Sequence, residues 1–147
     1  MTKPITLQQA FNTICHKAQL QNALSHIPDD PDFMCAYRTK DGKQCFIGMI
    51  MPDELYDPQM DADNSDIKFV LKNYPEVEKY FALIDSDTLE DLQGIHDTGG
   101  TMVNPWDNLW EKSLRRFALK HHLTIPFTKN NQEFENDNYE EREKVLV

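Results

Sequence analysis

Residues 33–51 read Phe33-Met34-Cys35-Ala36-Tyr37-Arg38-Thr39-Lys40-Asp41-Gly42-Lys43-Gln44-Cys45-Phe46-Ile47-Gly48-Met49-Ile50-Met51, and their interpretation decides the fold class. Two stretches rich in aromatic and apolar residues, Phe33 to Arg38 and Gln44 to Met51, flank Asp41-Gly42. Asp-Gly between such stretches is the strongest short-range hairpin signal. The expectation is therefore a β-hairpin over about 33–51. A two-residue type I′ turn at Asp41-Gly42 pairs Lys40 with Lys43, sets Tyr37 opposite Phe46 and Arg38 opposite Cys45, and places Cys35 opposite Gly48. Cys35 and Cys45 then fall on opposite faces, and a disulfide between them would turn the apolar set outward.

Helical patterns surround this segment. Thr6 and Gln9 form a capping box ahead of Leu7, Ala10, Phe11, Ile14, Cys15 and Ala18, which recur on one face. Further patches are Ile67, Val70 and Leu71; Val77, Tyr80, Phe81 and Ile84 behind Pro75; and Leu89, Leu92 and His96 behind an Asp87/Glu90 capping box. The last and strongest follows Asn104-Pro105, with Trp106, Leu109, Trp110, Ser113, Leu114, Phe117, Ala118 and His121 on a continuous face. The expected architecture is an α+β domain over 1–126, one hairpin packed by four or five helices. Residues 127–147, with six acids, three bases and almost no periodicity, read as a flexible acidic tail.

At 147 residues the chain suits one domain, long enough to bury a core without disulfides or a structural metal. Apolar residues at 39% rule out a wholly disordered chain. Cys15, Cys35 and Cys45 have no framework spacing, and no charged-then-apolar leader opens the chain at Met1, so the expected compartment is a reducing cytoplasm. The purely apolar run Cys45 to Met51 is far shorter than the roughly 18 residues of a membrane span. A net charge of −10 repels phosphate backbones and anionic lipid and favours cationic protein surfaces.

The acidity is concentrated. From Pro52 to Asp66 there are six acids and no base, with Leu55, Tyr56 and Met60 as anchors of a partly ordered loop. Spaced carboxylates of this kind mimic a phosphate track and suit the basic groove of a nucleic-acid-binding protein. Asp53, Glu54, Asp57, Asp61, Asp63 and Asp66 are the expected partner-binding residues, with Tyr56 as aromatic anchor. A calcium loop starting at Asp61 is rejected, because Asp66 stands where a sharp turn wants glycine and Lys72 where a bidentate glutamate belongs. Gly99-Gly100 lacks a following lysine and reads as a turn.

Metal chemistry has one candidate pair, His96 and Asp97. That dipeptide is similar to the metal-binding pair of the HD phosphohydrolases, which needs a further histidine and aspartate, and His26 and Asp107 can be nominated. This gives the enzyme alternative, a metal-dependent phosphohydrolase or nuclease centred on His96-Asp97. The adjacent His121 and His122 point about 100° apart on a helix and suit its carbonyl end better than a shared ion. No nucleophilic triad stands out, so the sequence assigns no catalytic residue, no cofactor and no resident metal.

The strings Cys35-Ala-Tyr-Arg38, Asp41-Gly-Lys-Gln-Cys45, Gly48, Pro52-Asp-Glu-Leu-Tyr56 and Leu92-Gln-Gly-Ile-His-Asp97, followed by a Trp-containing helix, carry a resemblance. From about Thr6 to about Pro126 the chain resembles a group of small uncharacterised proteins encoded by phages, prophages and plasmids. The resemblance implies no mechanism. It does imply a genomic setting in which small acidic proteins bind and inhibit or modulate a host or defence protein. The expected function is thus a non-enzymatic acidic binding protein whose partner offers a basic surface, with no direct nucleic acid or membrane contact. An assembly factor of a mobile element is the further alternative, for which stable homo-oligomers would be the sign.

Overall fold

The structure, a computed structural model, describes residues 3–25, 36–98 and 103–127. Helix α1, Leu7–Gln21, begins at the Thr6/Gln9 capping box and ends at Asn22, whose φ of 39° turns the chain out of the helix. Its apolar stripe, Ala10, Phe11, Ile14, Cys15 and Ala18, is fully buried. Against it packs α2, Phe46–Ile50, the segment expected to be the second strand of a hairpin.

The α+β expectation is therefore corrected: the described residues are helical, with a single isolated antiparallel bridge, Arg38 to Gln44, and no β-strand. Three physical causes act together. Every side of Phe46–Ile50 is buried, and periodicity cannot separate a fully buried short strand from a fully buried short helix. Cys45 starts the helix, its Sγ accepting the Gly48 N–H at 3.4 Å. The turn also differs from the expected one. Gly42 alone has positive φ, 87°, where a type I′ turn requires it at Asp41 too. The Gly42 N–H donates to the Thr39 carbonyl at 3.1 Å and the Thr39 N–H to the Lys43 carbonyl at 2.9 Å, which shifts the pairing by one residue from the expected register. Phe33–Cys35, and with them the Cys35–Gly48 pairing, lie outside the described residues.

Side chains take the backbone bonds that a sheet would have supplied. Gln21 clamps Gln44, with Oε1 accepting its N–H at 2.8 Å and Nε2 donating to its carbonyl at 2.9 Å. Gln8 holds Thr124 in the same way at 2.8 and 2.9 Å.

The remaining helices enclose this centre. They are α3, Gln59–Ala62; α4, Ile67–Asn73; α5, Pro75–Tyr80, with Pro75 in its first turn; and α6, Ser86–Asp97. A π-helical turn, Trp106–Trp110, runs into α7, Glu111–Lys120. The expected Asp87/Glu90 capping box does not form; both carboxylates face Lys68 on α4, at 2.6 and 3.5 Å. Helix α6 packs on α2 and α4, and its buried residues Leu89, Leu92 and His96 enter the common core with Phe46, Trp110, Leu114 and Phe117. Phe127 packs edge-on to Trp106, ring centroids 4.8 Å apart, beneath the Arg115 guanidinium. The rest of the expected tail, 128–147, and Gly99-Gly100 lie outside the described residues. Among the described residues, no helix is long and apolar enough to cross a membrane.

Candidate partner-binding surface

The acidic segment 52–66 is ordered by its own carboxylates. Asp61, half-buried, accepts the Tyr37 N–H at 2.7 Å, the Arg38 N–H at 3.2 Å and the Tyr56 hydroxyl at 2.5 Å. One carboxylate thus stands in for the strand partner of Tyr37 and Arg38. The far end of the segment is tied by the Tyr37 hydroxyl, which donates to the Ser65 carbonyl at 2.8 Å and accepts from Gln93 at 3.2 Å. Asp66 caps α4 by accepting the Phe69 N–H at 2.8 Å. Met60 is buried, and Leu55 and Tyr56 pack against the core.

Between these ties the expected interface residues divide. Tyr56 is half-buried: its ring lies 4.8 Å under the Arg38 guanidinium and its hydroxyl turns toward Asp61, so burial and the Asp61 carboxylate push its phenol above the ordinary range. Asp53 meets Arg38 Nη1 at 2.6 Å from an almost fully exposed position, while Arg38 Nη2 donates to the Met51 carbonyl at 2.6 Å. Asp57 and Asp63 are exposed and bond Gln59, through its N–H at 2.9 Å and its side-chain amide at 2.7 Å. Among the described residues, neither is paired with a cation. Glu54 is exposed beside them in sequence.

Two residues join this surface that sequence reasoning did not assign to it. The half-buried Tyr74 and Tyr80 have phenols raised first by burial, then by Asp57 and Asp63 for Tyr74 and by Glu54 for Tyr80. The carboxylates thus lie within electrostatic reach of both rings. The available signal was a pair of hydroxyl-bearing aromatics just after an acidic run, on stripes that otherwise carry Val, Phe and Ile.

The candidate metal pair is placed differently. His96 is fully buried, stacked on Trp110 at 5.2 Å and edge-on to Phe46 at 5.3 Å. Its Nε2 accepts the Ser25 N–H at 3.2 Å, which fixes the Nδ1–H tautomer, and Nδ1 lies 3.1 Å from Asp97 Oδ1. Both ring nitrogens are thus engaged. The neighbouring Ser25 hydroxyl and carbonyl close on Ala36, at 2.7 and 2.9 Å, so the imidazole acts as a junction between α6 and the backbone at Ser25. Asp107 faces the Asn22 amide at 3.4 Å, and His26 lies outside the described residues. Among the described residues, no three His, Cys, Asp or Glu side chains converge as a metal site would require.

Comparison with protein-family models, with curated proteins and with solved structures finds no match to this chain.

Proposed function

We propose that this chain is a non-enzymatic binding protein of a phage or other mobile element, which inhibits or modulates a cytoplasmic host or defence protein by engaging its basic surface. The observation that carries this reading is the pair Asp57 and Asp63: exposed, each hydrogen-bonded to Gln59, without a cation among the described residues, and within electrostatic reach of the half-buried Tyr74. Fixed carboxylates lose little entropy on meeting a lysine or arginine, and adjoining tyrosines supply contact area at low conformational cost. Asp61 and Asp66 shape this surface, Asp61 by holding the segment and Asp66 by starting α4. A nucleic-acid-binding groove fits such a surface best, because it is built to receive anions in series.

The test is capture from nuclease-treated bacterial host lysate at two salt concentrations. The immobilised full chain is compared with a Glu54→Lys/Asp57→Lys/Asp63→Lys variant of matched thermal stability. The expected result is a stoichiometric basic protein retained by the parent at low salt, released at high salt and lost by the variant. Equal retention by both chains would remove this surface from the interface.

A further inference from the structure

The chain leaves α7 through a strained residue. His121 ends the helix and His122 follows with a φ of 57°, in the left-handed region that glycine enters freely and an L side chain only at a cost. Two hydrogen bonds close the turn: the Leu123 N–H donates to the Ala118 carbonyl at 2.8 Å and the His122 N–H to the Leu119 carbonyl at 3.4 Å. This is the common helix stop, with a histidine where glycine is the usual residue.

The turn reverses the chain, and residues 123–127 run back from the C-terminal end of α7 to Trp106, ahead of its first turn. They are held as a bound peptide is held. Leu123, Ile125 and Phe127 pack against the core, while Thr124 and Pro126 between them are exposed. The Gln8 amide of α1 takes both backbone groups of Thr124, at 2.8 and 2.9 Å, and Phe127 meets Trp106 and the Arg115 guanidinium. These partners belong to α1, α7 and the π-helical turn, not to the hinge. The same five residues of a second copy would therefore fit them equally well.

We infer that segment 123–127 is an exchangeable strap, and that a second copy of this chain accepts it in a domain-swapped dimer. When His122 moves to negative φ the strap swings away from its own helix. Reciprocal exchange then rebuilds the Gln8, Trp106 and Arg115 contacts between copies, gives up the two hydrogen bonds of the turn, and relieves the strain at both His122 residues. The exchange is independent of the acidic surface described above.

Sedimentation velocity of the full chain, from micromolar to millimolar concentration, reads the monomer–dimer equilibrium. A dimer is expected at the upper end, and it should grow with added salt, because two copies of net charge −10 repel one another. His122→Gly should weaken dimerisation about tenfold or more by removing the strain. His122→Ala should strengthen it several-fold, since alanine enters the left-handed region less readily than histidine. To place the strap, a photoreactive benzoylphenylalanine stands in for Phe127, and isotope-labelled and unlabelled chains are mixed and equilibrated. In the dimer fraction the crosslink to the Trp106 peptide should join labelled to unlabelled chains; in the monomer fraction the labels should match. The inference is overturned if the chain stays monomeric at every concentration, if both His122 variants change the melting temperature but dimerise as the parent does, or if crosslinks in the dimer fraction form only within one isotopic copy.

Discussion

Gly48 has the tightest backbone approach among the described glycines. A Cβ there would lie 2.0 Å from the Tyr37 carbonyl oxygen and 2.9 Å from its carbon, and both neighbours are backbone that cannot rotate away. Helix α2 can rest directly on the Tyr37 peptide only because no side chain intervenes. Gly48→Ala should therefore destabilise the fold by about 3 kcal/mol or more, beyond ordinary overpacking, read as a lowered urea midpoint with unchanged slope. A change below about 0.5 kcal/mol, the range of surface substitutions, would refute the contact. The thiols of Cys15 and Cys45 belong to the same scale. Burial pushes each up to about 12, so at pH 8 both should resist alkylation until the chain unfolds. In a Cys35→Ser background, thiol-reagent kinetics should show both sites reacting at the unfolding rate; a fast stoichiometric phase would contradict their burial. The low reactivity of Cys15 follows from its place on the apolar stripe of α1, a pattern of six residues that the sequence displays openly.

At the scale of elements, the apolar stripes of the long helices and the cap of α1 were legible and the centre was not. The Thr6/Gln9 box, Pro75 in the first turn of α5 and the Leu89, Leu92, His96 stripe all formed as the 3.6-residue period requires. Segment 36–50 could not be read in this way, because what ends its extended backbone comes from residues remote in sequence. Gln21 occupies Gln44, Asp61 occupies Tyr37 and Arg38, and each pairing spans more than twenty positions. No local propensity records such a bond, and a hairpin signal wins by default. The structural role of Asp61 was hidden for the same reason: it looks like one surface acid among six, yet three donors converge on it. Asp61→Ala should leave the Tyr37 and Arg38 amides and the Tyr56 hydroxyl without their acceptor, at a cost of about 3 kcal/mol, whereas Asp63→Ala should stay within about 0.5 kcal/mol. Urea unfolding of the two variants checks the difference. Equal effects would mean that 52–66 is held by its apolar anchors alone.

For the whole molecule, His121 links pH to stability. It lies at the end of α7, its ring 4.3 Å from that of Phe117, with Nε2 buried and without a hydrogen-bond partner among the described residues. Burial, reinforced by Lys120 and His122 and opposed by Asp91, holds its pKa below the ordinary 6.5. The sign follows from proton counts. Just below pH 6.5 the unfolded chain binds a proton that the native state does not, so stability is complete above that value and declines as pH falls toward the folded pKa. The carboxylates of Asp41 and Asp87, held low by Thr39 and Lys43 and by Lys68 respectively, lose their contribution only at more acidic pH, so the two windows are separate. His121→Phe keeps the ring contact, removes the unpartnered nitrogen and abolishes the titration. The variant should be at least as stable as the parent at pH 7.5 and should lose less between pH 6.5 and 5, the two curves becoming parallel only where the carboxylates titrate. Melting temperatures of both chains across pH 4.5–8 decide the matter. Parallel curves through the upper window would show that His121 is solvated well enough to titrate alike in both states, and that the end of α7 is looser than its packing on Phe117 describes.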